Sequence, residues 1–274
     1  MNTNNDENIF TVKGPDPLTP EQKKAATIWT VILVSIGIVA VLIAAFLAMF
    51  LTANTVASSY RSASKVLLGS LLSESRKIEV PEIMNRRDVS QNIAKIETDF
   101  ASRPRLENTL LASVVSPEYR STEVLGAQYD VYGKELVATT KTLPQIATFA
   151  EQTEQITSEA NAMLDALPKK ITSLGARTTA GTIDAFAQRV QDVASPALIQ
   201  EDKTRLAQMY TDLANDYREL ALIKEQSKKD IAILKNIADV RQAIAEAQKI
   251  DYAGKVQRAY AELVQRGEDL KARL

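Results

Sequence analysis

Asp212, Asp216 and Glu219 follow one another at steps of four and three, which puts three carboxylates on one face of a helix, where a hard cation such as calcium could collect oxygen ligands. Arg218 sits beside the trio and no D-x-D-x-D-G loop occurs, so the acids read better as a solvated face. Ser62 and Lys65 have the S-x-x-K spacing of a serine and lysine dyad. So short a pattern matches many unrelated helices, and a solvated face explains it here too. The 274 residues contain no histidine and no cysteine, which removes the commonest general base, the thiol nucleophile, and most zinc and di-iron ligand sets. No G-x-x-x-x-G-K-S/T, G-x-G-x-x-G or G-x-S-x-G sequence is present. The residue types therefore argue against an enzyme, a cofactor, a metal centre and a small-molecule substrate. An envelope hydrolase would need two inward-facing acids about 5 to 9.5 Å apart in a groove.

Charge narrows the partners. Removing Lys13, Lys23, Lys24, Asp6, Glu7, Asp16 and Glu21 of the amino-terminal tail from the chain's 33 basic and 34 acidic residues leaves 30 of each. A neutral remainder without a basic stripe does not suit nucleic acid, and Arg61 with Lys65 is too sparse a cluster for anionic lipid.

The elements that must position any site begin with an apolar run. No charged residue lies between Lys24 and Arg61, and Ile28 to Leu51 supplies 24 nearly all apolar residues, about 36 Å of helix against a hydrocarbon core of ~30 Å. Residues 25–52 are read as a transmembrane helix following a tail of residues 1–24. A buried helix of a soluble domain is seldom so long, and a cleaved signal peptide, suggested by Thr55 and Ala57, would have an apolar core of only about 7 to 15 residues. Thr19-Pro20-Glu21-Gln22 has the form of a capping box with proline at the first helical position. Lys23 and Lys24 abut the span while Arg61 stands off from it, so the positive-inside rule places the amino terminus in the cytoplasm and the rest outside it. Within the span, Gly37, Ala40, Ala44 and Ala48 form a small-residue stripe of the kind that packs helices closely, although alanine is frequent throughout the chain.

Beyond the span the pattern is helical throughout, and no strand alternation or fixed repeat is evident. Residues 53–80 read as a juxtamembrane stalk and 81–274 as a helical bundle or coiled coil punctuated by Pro81, Pro104, Pro117, Pro144, Pro168 and Pro196. One apolar stripe runs from Leu125 through Tyr129, Leu136, Ile146, Phe149 and Ile156 to Leu167, in unbroken phase across Pro144. From Ala197 to Ala253 there is neither proline nor glycine, room for a single helix of about 85 Å, with a break near Ile250 as the alternative. Its seam is Leu206, Met209, Leu213, Leu220, Ile223, Leu234, Ile237 and Ile244, interrupted by Asp216, Ser227, Asp230 and Arg241. Pairs four apart, among them Glu225 with Lys229 and Glu262 with Arg266, are expected to support the exposed faces.

The expected architecture is all-α: one amino-terminal transmembrane helix followed by an elongated bundle. The expected role is a single-pass scaffold, tether or assembly subunit in an envelope, acting through protein partners or self-association. The alternative is a sensory or ligand-binding ectodomain that signals through a membrane partner, for which a mixed apolar and polar pocket between helices would speak.

Overall fold

The computed structural model describes residues 19–107, 111–168, 170–226, 228–247 and 249–274. Residues 1–18 of the expected tail and Ser227 of the expected seam interruption lie outside them. The described residues are all-α.

The first helix, α1 (Pro20–Ser75), has 56 residues and spans about 84 Å. It starts with the capping box that the sequence spells: Thr19 Oγ1 accepts from the Gln22 amide at 3.3 Å, and Gln22 Oε1 accepts from the Thr19 amide at 2.9 Å. Trp29, Leu33, Val41 and Leu51 are exposed along its first half, and burial begins abruptly at Ala53 and Ala57. Tyr60, Leu68, Leu71 and Leu72 then bury one face to the helix end. The segment expected as a stalk, 53–80, is thus a central member of the bundle rather than a spacer beneath it.

Around that half of α1 stand α3 (Ser90–Ala101), α5 (Pro117–Thr142) and α10 (Tyr252–Arg273). Polar contacts fix their directions. Ser70 bonds Asp99 while Glu74 bonds Lys95, so α3 runs antiparallel to α1. Ser116 bonds Asn54 and Thr122 bonds Arg61, so α5 runs parallel to it. Gln257 accepts from the Val80 amide and Tyr260 donates to the Ser75 carbonyl, while Lys271 lies against Gly69, so α10 returns antiparallel. The short α2 (Val80–Met84) turns the chain over at the top of α1, and α4 (Ala112–Val115) closes the bottom.

A second tier continues the first. Pro144 interrupts α5, and α6 (Gln145–Asp165) carries the same apolar stripe onward; Leu125, Tyr129, Leu136, Ile146, Phe149 and Ile156 are all buried and Leu167 partly so. α7 (Ser173–Asp192) and α8 (Gln200–Glu225) form an antiparallel hairpin, shown by the pairs Arg177 with Glu225, Arg218 with Asp184, and Lys203 with the Gln191 carbonyl. Then α9 (Ile231–Ala247) folds back along α8. The single helix considered for 197–253 is therefore broken twice: a 3-10 turn at Ala197–Ile199 leads into α8, α9 is separate from α8, and α9 ends at Ala247 before α10 begins at Tyr252, where the alternative placed a break near Ile250. At the break between α8 and α9, the Lys228 amide bonds the Ile223 carbonyl and Lys224 pairs with Asp230 across the turn. Neither glycine nor proline is needed there, because an ion pair and the apolar return of α9 make the reversal.

Lys203 has a further part. It is nearly buried, and its ammonium donates at 2.9 Å to the carbonyls of Gln191 and Val193, capping the carboxyl end of α7 with positive charge.

Candidate functional site

Two ends and one groove of this rod are candidates for contact with other molecules. The sequence-predicted positions distribute over them unevenly. Gly37, Ala40, Ala44 and Ala48 lie on the exposed half of α1, and a methyl placed on Gly37 would meet nothing within 4 Å. Of the seam, Leu206, Leu213, Leu220, Ile237 and Ile244 are buried and Met209 and Ile223 are partly buried against the same core. Leu234 departs from it, being 45% exposed, because the reversal before α9 changes the phase of the stripe. The seam is consequently internal to the α7–α8–α9 layer and does not run along one helix.

The acid trio remains on the outer side of α8, with Asp212 accepting from Gln208. Burial, then the charges of Glu219 and Asp212, raise the Asp216 carboxyl above its ordinary range. Among the described residues no grouping of three or more acids has the arrangement to hold a metal ion. Ser62 and Lys65 both face outward on α1.

At the distal end, the start of α7, the end of α8 and the start of α9 meet. Leu174 is 74%, Leu222 52% and Ile231 75% exposed, and Leu234 lies one turn further on. The Ser173 and Arg177 side chains both reach Glu225 there, which holds α7 to α8 beneath the apolar side chains. Single exposed aliphatics are ordinary on soluble surfaces, whereas these four stand at one end of the bundle.

The groove lies where α6 faces the connection between α9 and α10, and has a volume of about 550 Å³. Met84, Leu206 and Tyr252 give it apolar walls, while Glu154, Thr157 and Asn161 give it polar ones. An edge-on contact between Phe149 and Tyr252, with centroids 5.2 Å apart, fixes the Tyr252 wall. Thr153 and Thr157 spend their hydroxyl protons on carbonyls one turn back, at 2.6 and 2.7 Å, so toward the groove they are acceptors.

Between the ends, Glu74 joins α1 to α3. Its side chain is 7% exposed and accepts from Lys95 at 2.6 Å, Lys77 at 2.9 Å and Asn92 at 3.3 Å. The bonds from Lys95 and then Lys77 hold its carboxyl down to about 2, against an ordinary 4.5. Because the folded value lies below the unfolded one, the stabilisation is complete above pH 4.5 and disappears as pH falls toward 2. Glu74→Gln should cost roughly 1–2 kcal/mol near neutrality, and its stability should then fall less steeply than that of the wild type through the acid window. Urea midpoints that decline in parallel for the two proteins from neutral pH to pH 3 would refute this.

Neither the tip, the groove nor the Glu74 cluster was legible from sequence spacing. Each is made of residues far apart in the chain, and only the exposed Ile231 and Leu234, sitting just after a charged Lys228-Lys229-Asp230 run, offered a local hint. Comparison with protein-family models, with curated proteins and with solved structures finds no match to this chain.

Proposed function

We propose that this protein is a single-pass membrane-anchored scaffold or tether whose rod holds a protein-binding tip away from the bilayer on the extracytoplasmic side. The observation that carries the reading is the separation of two of its exposed apolar regions. One is the run along the first half of α1, the other the tip of α7, α8 and α9, and between them lie the main core and the small cluster of Ala53, Ala57, Ala112 and Tyr119. The apolar run has the length of a span, and Lys23 with Lys24 at its edge favours a cytoplasmic amino terminus. Because α1 passes from the run into the core without a break, anchor and rod move as one body, which suits a spacer.

A photo-crosslinker at Ile231 of the full-length protein in cells tests the idea. It should capture a discrete protein, and Leu174→Asp with Leu234→Asp should abolish the adduct while leaving the thermal transition in place, since surface changes of this kind usually stay within about 0.5 kcal/mol. An adduct that survives both aspartates, or none from any tip position, would sink it. The groove favours a second reading, a sensory ectodomain, by its mixed walls. The same assay separates the two: Ser158→Trp at the groove mouth should leave a scaffold's adduct intact and change a sensor's.

A further inference from the structure

Resting on the anchored reading above, we propose that α4 and the turn before it sit in the headgroup layer of the bilayer that α1 crosses, with Leu111 and Val114 as the side chains that enter lipid. The placement is set by α1 itself. Ala112 of α4 packs on Ala53 and Ala57 of α1 with Tyr119, forming a small core separate from the main one, and Ser116 bonds Asn54. Ala53 and Ala57 lie two and six residues beyond Leu51, about 3 and 9 Å along the helix. Headgroups occupy roughly 5–7 Å on each side of the hydrocarbon core, so α4 is held at that depth. There Val114 is 77% and Leu111 53% exposed, an orientation that water alone does not favour.

The backbone contributes a second feature. Leu111 has φ 63°, in the left-handed region that a leucine rarely adopts, immediately before α4 turns the chain toward Pro117. Around the apolar pair the exposed acids Glu107, Glu118 and Glu123 outnumber the exposed Arg105 and Arg120, so the attraction is apolar and needs no anionic lipid. The long stems of the arginines can lie along the surface with their heads in the phosphate layer. A span of about 36 Å exceeds a ~30 Å core, and where tilting takes up the excess, insertion of α4 selects the direction: toward the side that carries it.

The experiment uses the full-length protein in phosphatidylcholine vesicles, with Trp29→Phe removing the native indole. Val114→Trp, at a side chain that is already open, reports the depth of α4, and Val39→Trp reports the middle of the run. Lipids brominated near the headgroup end of their chains should quench most Val114→Trp emission and aqueous iodide little of it, while mid-chain bromines quench Val39→Trp. If iodide reaches Val114→Trp freely while Val39→Trp stays shielded, the inference falls and the anchor stands. If both are open to iodide, the anchor falls and takes the inference with it. Shielding of Val114→Trp from iodide without bromine quenching would mean a second copy covers the face, and would also overturn it.

Discussion

A fragment beginning at Lys77 should fail to fold, whereas one beginning at Ala53 should unfold in a single cooperative transition. The cut at 77 removes Ala53, Ala57, Tyr60, Leu68, Leu71 and Leu72, all buried, and the carboxylate of Glu74 with them. Burial of the four large side chains alone is worth roughly 6–12 kcal/mol at about 1.5–3 each, and this is an upper range because unfolded chains already bury some apolar surface. Whole domains are stable by only about 5–15 kcal/mol, so the loss is of the same size as the total. The fragment beginning at Ala53 keeps every one of those contacts and lacks only the exposed half of α1. Far-UV circular dichroism with heating decides the matter. Equal, sharp transitions from both fragments would show that α1 is a true stalk, with the bundle complete from residue 81 onward.

The outcome bears on function because a flexible stalk and a shared helix transmit force differently. If α1 is the anchor proposed above, it is also a core helix, and rotating or tilting it must rotate or tilt the bundle. A scaffold gains a fixed height and orientation from that arrangement. A sensor would gain a rigid lever, with the groove beside α6 at its far end.

The comparison of sequence with structure turns on range of interaction. Local signals read true: Thr19 and Ser116 cap the helices their spacing announces, and the stripe from Leu125 to Ile156 faces the core across Pro144. Asp88 and Gln91 have the spacing of a helix start, yet Asp88 accepts from the Ser90 amide and α3 begins at Ser90. Ser195-Pro196 has the form of a cap and first residue for the long helix after it, yet it opens the 3-10 turn at Ala197–Ile199 and α8 begins at Gln200. Non-local choices were hidden. Glu225 was expected to pair with Lys229 four residues on, yet it accepts from Arg177 of α7 at 2.6 Å; Arg266, expected to pair with Glu262, reaches Glu135 of α5. An i,i+4 pair is worth a few tenths of a kcal/mol, so any partner on a packed neighbouring helix competes easily. The break between α8 and α9 escaped for the same reason: intrinsic propensity favours continuing the helix, and the burial of Ile233, Ile237 and Ile244 against the second tier, with the Lys224–Asp230 pair, favours turning back.

Valine at Gly267 or Gly133 should destabilise the bundle by about 3 kcal/mol, while alanine at Gly181 should stabilise it by roughly 0.5–1 kcal/mol. All three glycines are helical, so propensity alone would make every one of these changes favourable or nearly neutral; packing decides the sign. A Cβ at Gly267 would stand 2.6 Å from Leu72 Cδ2 and equally close to the Tyr132 ring, neither of which can retreat from a buried site. At Gly133 it would meet the Phe100 ring, 2.5 Å from Cδ2 and 2.7 Å from Cζ. Nothing lies within 4 Å of the Cβ position of Gly181. For a domain of this size ~3 kcal/mol is a fall in melting temperature of about 6–12 °C, easily separated from the small rise expected of Gly181→Ala. The two costly sites clamp different pairs, α10 onto α1 and α5, and α5 onto α3. Valine at both should therefore be close to additive unless the shift of one helix relieves the other. Melting curves in which Gly267→Val and Gly181→Ala move in the same direction would mean that α10 does not approach α1 as closely as the shared contact with Leu72 requires.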